Sequence, residues 1–446
     1  MIRATTGEGE NQIEPIVRES HLRWFDSRRT AVPVVRNLSS MNRRLRRIWL
    51  VLHRWLGLTA GLLFAVMGLS GSLLVFHHAI DESLNPELLL SAAGEPSRSL
   101  TDVVTAAETY LSEPSARAEF VDLPQNDRGV WTVWFRTAPD GEAPFTQVYV
   151  DPHTAAVTGH RVWGEYFVTW LYRLHDQLLA GPRGETIIGI TGLVMMVSVC
   201  SGLYLWWPLW RHSWRAALAI RCGDRLNYDL HKTVGVVSSL LLLVAAFTGV
   251  YLVFPEWIKP CVAVVSTESA PGAEQLRSNP QSGRTRIDPD QAAAVAREAF
   301  PEAELKRLYL PSKAEGVYVA RVRQPGEVRR SSGNSRVWMD QYSGEVLAVR
   351  DWDRRTAADT FFAWQFPLHN GEAFGLAGRG VTFLTGLTPG ILYVTGIVLW
   401  WRRWRCRRQQ AFRGKTSLDA EFAPGPGRRR RLERVPGGRK ETTHDT

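Results

Sequence analysis

The chain has 446 residues, 45% of them hydrophobic, and carries a formal charge of +10 from 54 Lys and Arg against 44 Asp and Glu. Its mean hydropathy of −0.16 averages long apolar runs with strongly polar stretches, which excludes both a uniformly polar chain and one immersed wholly in lipid. The cysteines (Cys200, Cys222, Cys261 and Cys406) are scattered without a CxxC pair, which excludes a disulfide scaffold and argues against zinc or iron–sulfur ligation.

Residues 1–44 are polar, carry no cleavable signal and read as a cytoplasmic extension. About 20 apolar residues span a bilayer core as helix. Four runs qualify, with cores at 48–76, 186–208, 233–256 and 379–401. The predicted order is a first span (45–80), an outer module (81–162), an interfacial helix with the second span (163–210) and a cytoplasmic loop (211–230). A third span (231–257), a second outer module (258–356), an interfacial segment with the fourth span (357–403) and a basic tail (404–446) follow. Arginines crowd RNLSSMNRRLRR, WRHSWRAALAIR and RRWRCRR. By the positive-inside rule these three, and with them both termini, face the cytoplasm. The basic charge thus reflects topology and contact with anionic membrane lipid, not nucleic acid, despite Arg428 to Arg431. Arg28-Arg29 and Arg43-Arg44 read as topology determinants, not a twin-arginine signal.

Each outer module reads as small and α+β. In the first, SLTDVVTAAETYL predicts a helix, followed by the strand-like VWTVWFRT and FTQVYVDPHTAAVTGHR with a turn at Asp151-Pro152. In the second, DPDQAAAVAREAF predicts a helix capped by Asp288 or Asp290. GVYVARVRQ and SRVWMDQYSGEVLAVRD supply alternating strands, and residues 323–336 read as an exposed hairpin tip.

Landmarks recur in register. His53 and His231 each have Gly four residues on (Gly57, Gly235), Ser/Thr-Gly further along (Ser70-Gly71, Thr248-Gly249) and a closing Leu-Val-Phe. The offsets from His175 to Gly184, Gly202 and Trp206-Trp207 equal those from His369 to Gly378, Gly396 and Trp400-Trp401. The expected fold is an α-helical membrane protein of four transmembrane helices in two parallel repeats, related by an axis along the membrane normal. Two symmetric histidine pairs, His53/His231 inside and His175/His369 outside, suit bis-imidazole ligation of two b-type haems. Small residues beside them clear space for a flat ring. Arg54 and Lys232 follow the inner histidines, either as propionate partners or as plain membrane anchors. His77 and His78 are alternate outer ligands without counterparts in the second half, whereas His153, His160 and His212 read as surface residues.

LHRWLGL with GLSGSLLVF, YRLHDQLLAGPRGETIIGITGL, DLHKTVGV and FPLHNGEAFGLAGRGVTFLTGL ending in LWWRR together resemble the PepSY-associated transmembrane family of bacterial iron-regulated membrane proteins. VDPHTAAV and MDQYSGEVL resemble the PepSY strand-turn motif, with Ala155-Ala156 where a Gly is common. The resemblance covers roughly residues 41–405. It implies a bacterial inner-membrane haem protein with periplasmic modules, similar to ferric-siderophore reductases. The expected activity is transmembrane electron transfer that reduces an extracytoplasmic ferric siderophore or other ferric chelate. No nucleotide-binding unit is apparent, so the donor is separate, either membrane quinol or a cytoplasmic flavoprotein. Two other classes stand beside this: a non-catalytic anchor whose PepSY modules bind a peptidase or other partner, and a transporter.

Overall fold

Residues 33–92, 94–113, 116–137, 144–270, 272–280 and 284–421 are described by the structure, a computed structural model. Arg28-Arg29, Arg428 to Arg431 and most of the predicted N-terminal extension lie outside the described residues.

The first apolar run is not one straight helix. It forms α1 (Pro33–Thr59) and α2 (Gly61–Leu74), bent by 57° at Ala60. The bend falls beside Gly61, where a Cβ would stand 2.6 Å from the Tyr393 ring, so the chain turns at a close contact with its neighbour. Short helices α3 (His77–Leu84) and α4 (Pro86–Leu89) lead to the first module. This contains α5 (Leu100–Leu111), β1 (Arg117–Asp122), β2 (Trp131–Arg136), β3 (Thr146–Val150) and β4 (Val157–Val162). Then come α6 (Phe167–Gln177), α7 (Gly181–His212), α8 (Trp214–Leu218), α9 (Leu226–Val253) and α10 (Pro255–Ala263). The second module holds α11 (Pro289–Ala299), β5 (Glu304–Tyr309), β6 (Val317–Arg323), β7 (Ser335–Asp340) and β8 (Val346–Arg350), before α12 (Ala357–Asn370) and α13 (Gly375–Glu421).

Three helical stretches, Gly181–His212, Gly223–Val253 and Glu372–Gln410, are long and apolar enough to cross a membrane. The bent pair α1–α2 makes a fourth if it counts as one span. Exposed Leu, Val, Ile and Trp side chains along these helices have no core to enter, as expected of a lipid-facing surface. Helices α2 and α13 approach closely because both carry glycine at the crossing: a Cβ on Gly386 would meet the Gly68 carbonyl. Ser72 Oγ donates to the Phe383 carbonyl at 2.7 Å beside it.

Each half contributes one module, and the two are joined. Their strands form one eight-stranded antiparallel sheet in the order β4-β3-β2-β1-β5-β6-β7-β8. The joint pairs Phe120 with Tyr309 and Val121 with Leu308. The sequence reading missed β1 and β5, which lack clean alternation; each is bulged against its hairpin partner. Pairing two edges removes two exposed templates for aggregation. The helices are tied as well. Asp288 caps α11 by accepting from Gln291 N, while Asp290 accepts from Leu100 N and Thr101 N at the start of α5. Helices α5 and α11 cover one sheet face, and Val103, Ala107, Val133, Phe135, Ala293, Leu308, Ala320 and Met339 pack there fully buried. The opposite face presents Thr132, Trp134, Arg161, Arg307 and Arg321 toward the helical bundle.

Candidate cofactor site

The four histidines that recur in the sequence meet in two pairs. The ring centres of His53 and His231 lie 6.2 Å apart, and those of His175 and His369 lie 6.1 Å apart. The members of each pair come from opposite halves of the chain. His53 lies on α1 and His231 on α9; His175 ends α6 and His369 ends α12, the two short helices that precede α7 and α13.

Each ring is held by the same local device. His175 Nδ1 stands 2.9 Å from Ser70 Oγ, His369 Nδ1 3.0 Å from Thr248 Oγ1, His53 Nδ1 2.9 Å from Ser201 Oγ, and His231 Nδ1 2.9 Å from Thr395 Oγ1. Those hydroxyls have already spent their protons on helix carbonyls: Ser70 on Val66 (2.7 Å), Thr248 on Val244 (2.7 Å), Thr395 on Ile391 (2.7 Å) and Ser201 on Ser198 (2.6 Å). A hydroxyl whose proton is committed can only accept from the imidazole. The Ser198 and Ala245 carbonyls, near His53 Nδ1 and His369 Nδ1 at 3.1 and 3.2 Å, make the same demand. Nδ1 therefore carries the proton in all four rings, and Nε2 keeps a lone pair. None of the four Nε2 atoms forms a hydrogen bond among the described residues.

A glycine directly follows each hydroxyl residue, and the imidazole lies against it. A Cβ would stand 2.9 Å from His175 Cε1 at Gly71, 3.1 Å from His53 Cε1 at Gly202, 3.2 Å from His369 Cε1 at Gly249 and 3.5 Å from His231 Cε1 at Gly396. One Ser/Thr-Gly step on a neighbouring helix thus supplies both the acceptor for Nδ1 and the gap for the ring.

This donor set fits a metal held between two imidazoles. An imidazole nitrogen sits about 2 Å from a bound transition metal and about 1 Å from its ring centre, so two rings on opposite sides of one metal have centres about 6 Å apart. Neutral Nε2 ligands with Nδ1–H bonded to oxygen are the usual state of metal-binding histidine. Among the described residues no group of three or more His, Cys, Asp or Glu is arranged to hold a metal ion, so each pair would bring two imidazoles and no closed cage to a bound metal. A haem would bring its remaining nitrogen ligands in its own macrocycle.

The outer pair borders a cavity of about 870 Å³, within the size range of small-molecule and cofactor pockets. Its lower part is apolar, lined by Gly71, Leu241, Ala245 and Gly249 between the helices. Its upper part reaches the polar face of the sheet.

Other candidates are placed differently. Lys232 Nζ donates to the Ala216 and Ala219 carbonyls and to Asp229 Oδ1 at 3.1, 3.0 and 3.2 Å, which uses its three hydrogens to fasten α8 onto α9 and leaves none for a propionate. Arg54 keeps its Nε buried without a hydrogen-bond partner, with its guanidinium 5.8 Å from the Trp55 ring. His77 and His78 line the cavity, but their ring centres are 4.0 Å apart, too close to face each other across a metal. His153 bonds the Ala92 carbonyl, His160 contacts Tyr110, and His212 is exposed, in keeping with surface roles.

Residues 323–336 are not the expected free tip. Glu327 is 4% exposed and accepts from Gln324 N, Ser335 N and Ser335 Oγ, which folds the loop onto itself. Ser331 N and Oγ then dock on the buried Glu372, and Arg329 lies 4.4 Å over the Phe366 ring, one turn before His369. The role of Ser70, Ser201, Thr248 and Thr395 was not read from the sequence. The available signal was a hydroxyl residue before glycine in all four matched segments.

No curated protein matches the chain. The family model for the PepSY-associated TM region matches residues 50–403, a span that takes in all four histidines, their hydroxyl partners and the whole sheet. The chain is therefore a membrane protein that belongs to the PepSY-associated TM family.

Proposed function

We propose that this protein is an inner-membrane oxidoreductase that holds two b-type haems and passes electrons outward to a ferric chelate, of which a ferric siderophore is the prime example. The observation that carries this reading is that Nδ1–H is bonded to oxygen in all four rings, which leaves Nε2 free, while the rings meet in two pairs with centres about 6 Å apart. A histidine paired only for packing gains nothing from that tautomer, nor from leaving an acceptor unbonded in an apolar bundle.

Haem, when bound, would supply one-electron transfer, and His53, His231, His175 and His369 are the residues that would hold it. The chain supplies the rest. Its Ser/Thr-Gly steps orient the imidazoles and strengthen them as donors. The apolar walls keep water from the outer pair, while the cavity gives an external acceptor a route toward it. Eighteen residues of α9 separate His231 from Gly249, which packs on His369. At 1.5 Å per residue this is about 27 Å, so the pairs stand near opposite faces of a bilayer core. The reading includes four spans, with α1–α2 as the first, in two parallel repeats, and both termini in the cytoplasm. The sheet then lies in the periplasm, and a separate donor, quinol or a cytoplasmic flavoprotein, feeds the His53/His231 side.

Purified protein from haem-replete cells is expected to show a Soret band and a dithionite-reduced α-band, with two haems per chain. His53→Ala and His231→Ala should each remove one spectral component, and His175→Ala and His369→Ala the other. Mixing pre-reduced protein with ferric chelates should reoxidise it as Fe(II) appears. A colourless preparation would favour the anchor with a bound periplasmic partner.

A further inference from the structure

The roof of the outer cavity carries cations that the bundle leaves unanswered. Most of its charged groups are paired: Arg161 with Asp81 at 2.8 Å, Arg307 with Asp122 at 2.5 Å and Lys306 with Glu304 at 2.6 Å. Arg321 on β6 and Arg329 have no such partner among the described residues, although the buried Glu372 carboxylate acts on Arg329. Arg321 is only 9% exposed, lines the cavity, and forms no ion pair or hydrogen bond among the described residues. The charged groups felt most at Arg321 are cations: Arg329, Arg336 and Arg307, with the Tyr309 phenol beside them. Burial and these neighbours hold its guanidinium below the ordinary value, an environment that costs stability unless an anion enters it. Two more donors on the cavity wall are buried and unpartnered, Arg329 Nε and Ser332 Oγ. Each unmade hydrogen bond of this kind carries a cost, and three in one cavity mark a place prepared for an acceptor-rich guest.

We propose that Arg321, Arg329 and Ser332 form an oxyanion-binding site in the cavity that the His175/His369 pair borders, and that this site selects anionic polycarboxylate ferric chelates over neutral ones. The proposal rests on the ferric-chelate reading for its substrate, and the binding event itself needs no electron. Guanidinium groups suit carboxylates because two parallel N–H donors meet two oxygens in one plane. A chelate that binds Fe(III) through hard oxygens and carries surplus carboxylates presents those oxygens outward. The same cavity is bordered by the candidate metal-binding imidazoles, so an anion seated at the roof shares one chamber with the outer pair.

Ferric citrate serves as the probe and a neutral ferric trihydroxamate as the control, with binding to oxidised full-length protein in detergent followed by equilibrium dialysis of radioactive iron. Arg321→Gln should weaken ferric citrate binding about 10–100-fold. Arg321→Lys should fall between, and the control should move less than about twofold. Ferric citrate should raise the melting temperature of the wild type and not of Arg321→Gln. The unliganded variant should melt no lower than wild type, because no internal partner is lost. If Arg321→Gln fails to fold, Arg329→Gln and Ser332→Ala carry the same test. Equal ferric citrate binding by wild type and variants overturns the proposal. So does an unchanged chelate affinity accompanied by an altered outer haem spectrum, which would assign the arginines to a propionate. Arginine-dependent citrate binding by a colourless protein would sink the haem reading and leave this site standing. Haem-loaded variants that bind and reduce ferric citrate like wild type would do the reverse.

Discussion

The two halves of the molecule hold their histidines by the same means and differ on the face that looks into the cavity. In the first half, Arg161 on β4 meets Asp81 through two hydrogen bonds of 3.0 and 2.8 Å, and Gln147 Oε1 at 2.9 Å completes its set. That pair fastens α3 to the sheet. In the second half, Arg321 on β6 has an equally buried place and no acid. Two arginines on one sheet face thus have opposite meanings: one closes the structure, the other leaves it open for a guest. Residue type and burial are alike, and the partner decides.

The largest expected effect tests the likeness of the histidine sites. Replacing the glycines with leucine should drive the imidazoles from their places. Gly71→Leu and Gly249→Leu should each remove the outer haem signal and spare the inner one, checked by reduced-minus-oxidised spectra. With alanine the damage should follow the available space, greatest at Gly71 (2.9 Å to the ring), then Gly202 (3.1 Å), Gly249 (3.2 Å) and Gly396 (3.5 Å). Equal tolerance at all four positions would break the claim that the gaps exist for the rings.

Next comes the arginine contrast. Arg161→Met strands the Asp81 carboxylate, 10% exposed at the side chain, and should cost about 3–5 kcal/mol in thermal or denaturant unfolding. Arg321→Met removes an unpaired buried cation and should cost nothing or stabilise. A similar loss in both would erase the distinction between the halves.

Smaller effects sharpen it. Thr395→Val and Ser70→Ala remove the acceptor from His231 and His175, and should weaken haem retention about 10–100-fold in transfer to an apo-acceptor protein. Ser201→Ala and Thr248→Val should act in the same direction on His53 and His369, and a backbone carbonyl beside each of the four rings sets how much orientation survives. The smallest change concerns the matched hairpin turns after β3 and β7. Asp151 Oδ1 accepts from His153 N and Thr154 N, and Asp340 Oδ1 accepts from Tyr342 N and Ser343 N. The left-handed position is Gly344 (φ +74°) in one turn and Ala155 (φ +59°) in the other. Ala155→Gly should raise stability by up to about 1 kcal/mol, read from the unfolding midpoint.

The membrane class, the four histidines and the two short helices before α7 and α13 were legible because spacing survives along a chain. Matched offsets from His175 and His369 to Gly202 and Gly396 announced that each pair shares an environment. Apolar run length marked α7, α9 and α13, since desolvating a backbone requires an uninterrupted helix. The break at Ala60 was not legible, because the run stays apolar across it and the ring packed beside it, Tyr393, comes from the far end of the chain. Nor was the union of the modules, since the β1–β5 joint is a contact between edges more than 180 residues apart. The loop 323–336 looked exposed because its composition is polar; buried acceptors on Glu327 and Glu372 drew it inward.

Local order, by itself, determined which residues are placed in twos: a histidine here, a hydroxyl and a glycine at a constant remove there. Only the tertiary fold decided what each faces, because hydrogen-bond partners and unanswered charges are properties of neighbours in space. That is why Lys232, beside a candidate ligand in sequence, is spent on fastening α8, whereas Arg321, in a strand far from any histidine in sequence, lines the same cavity as the outer pair.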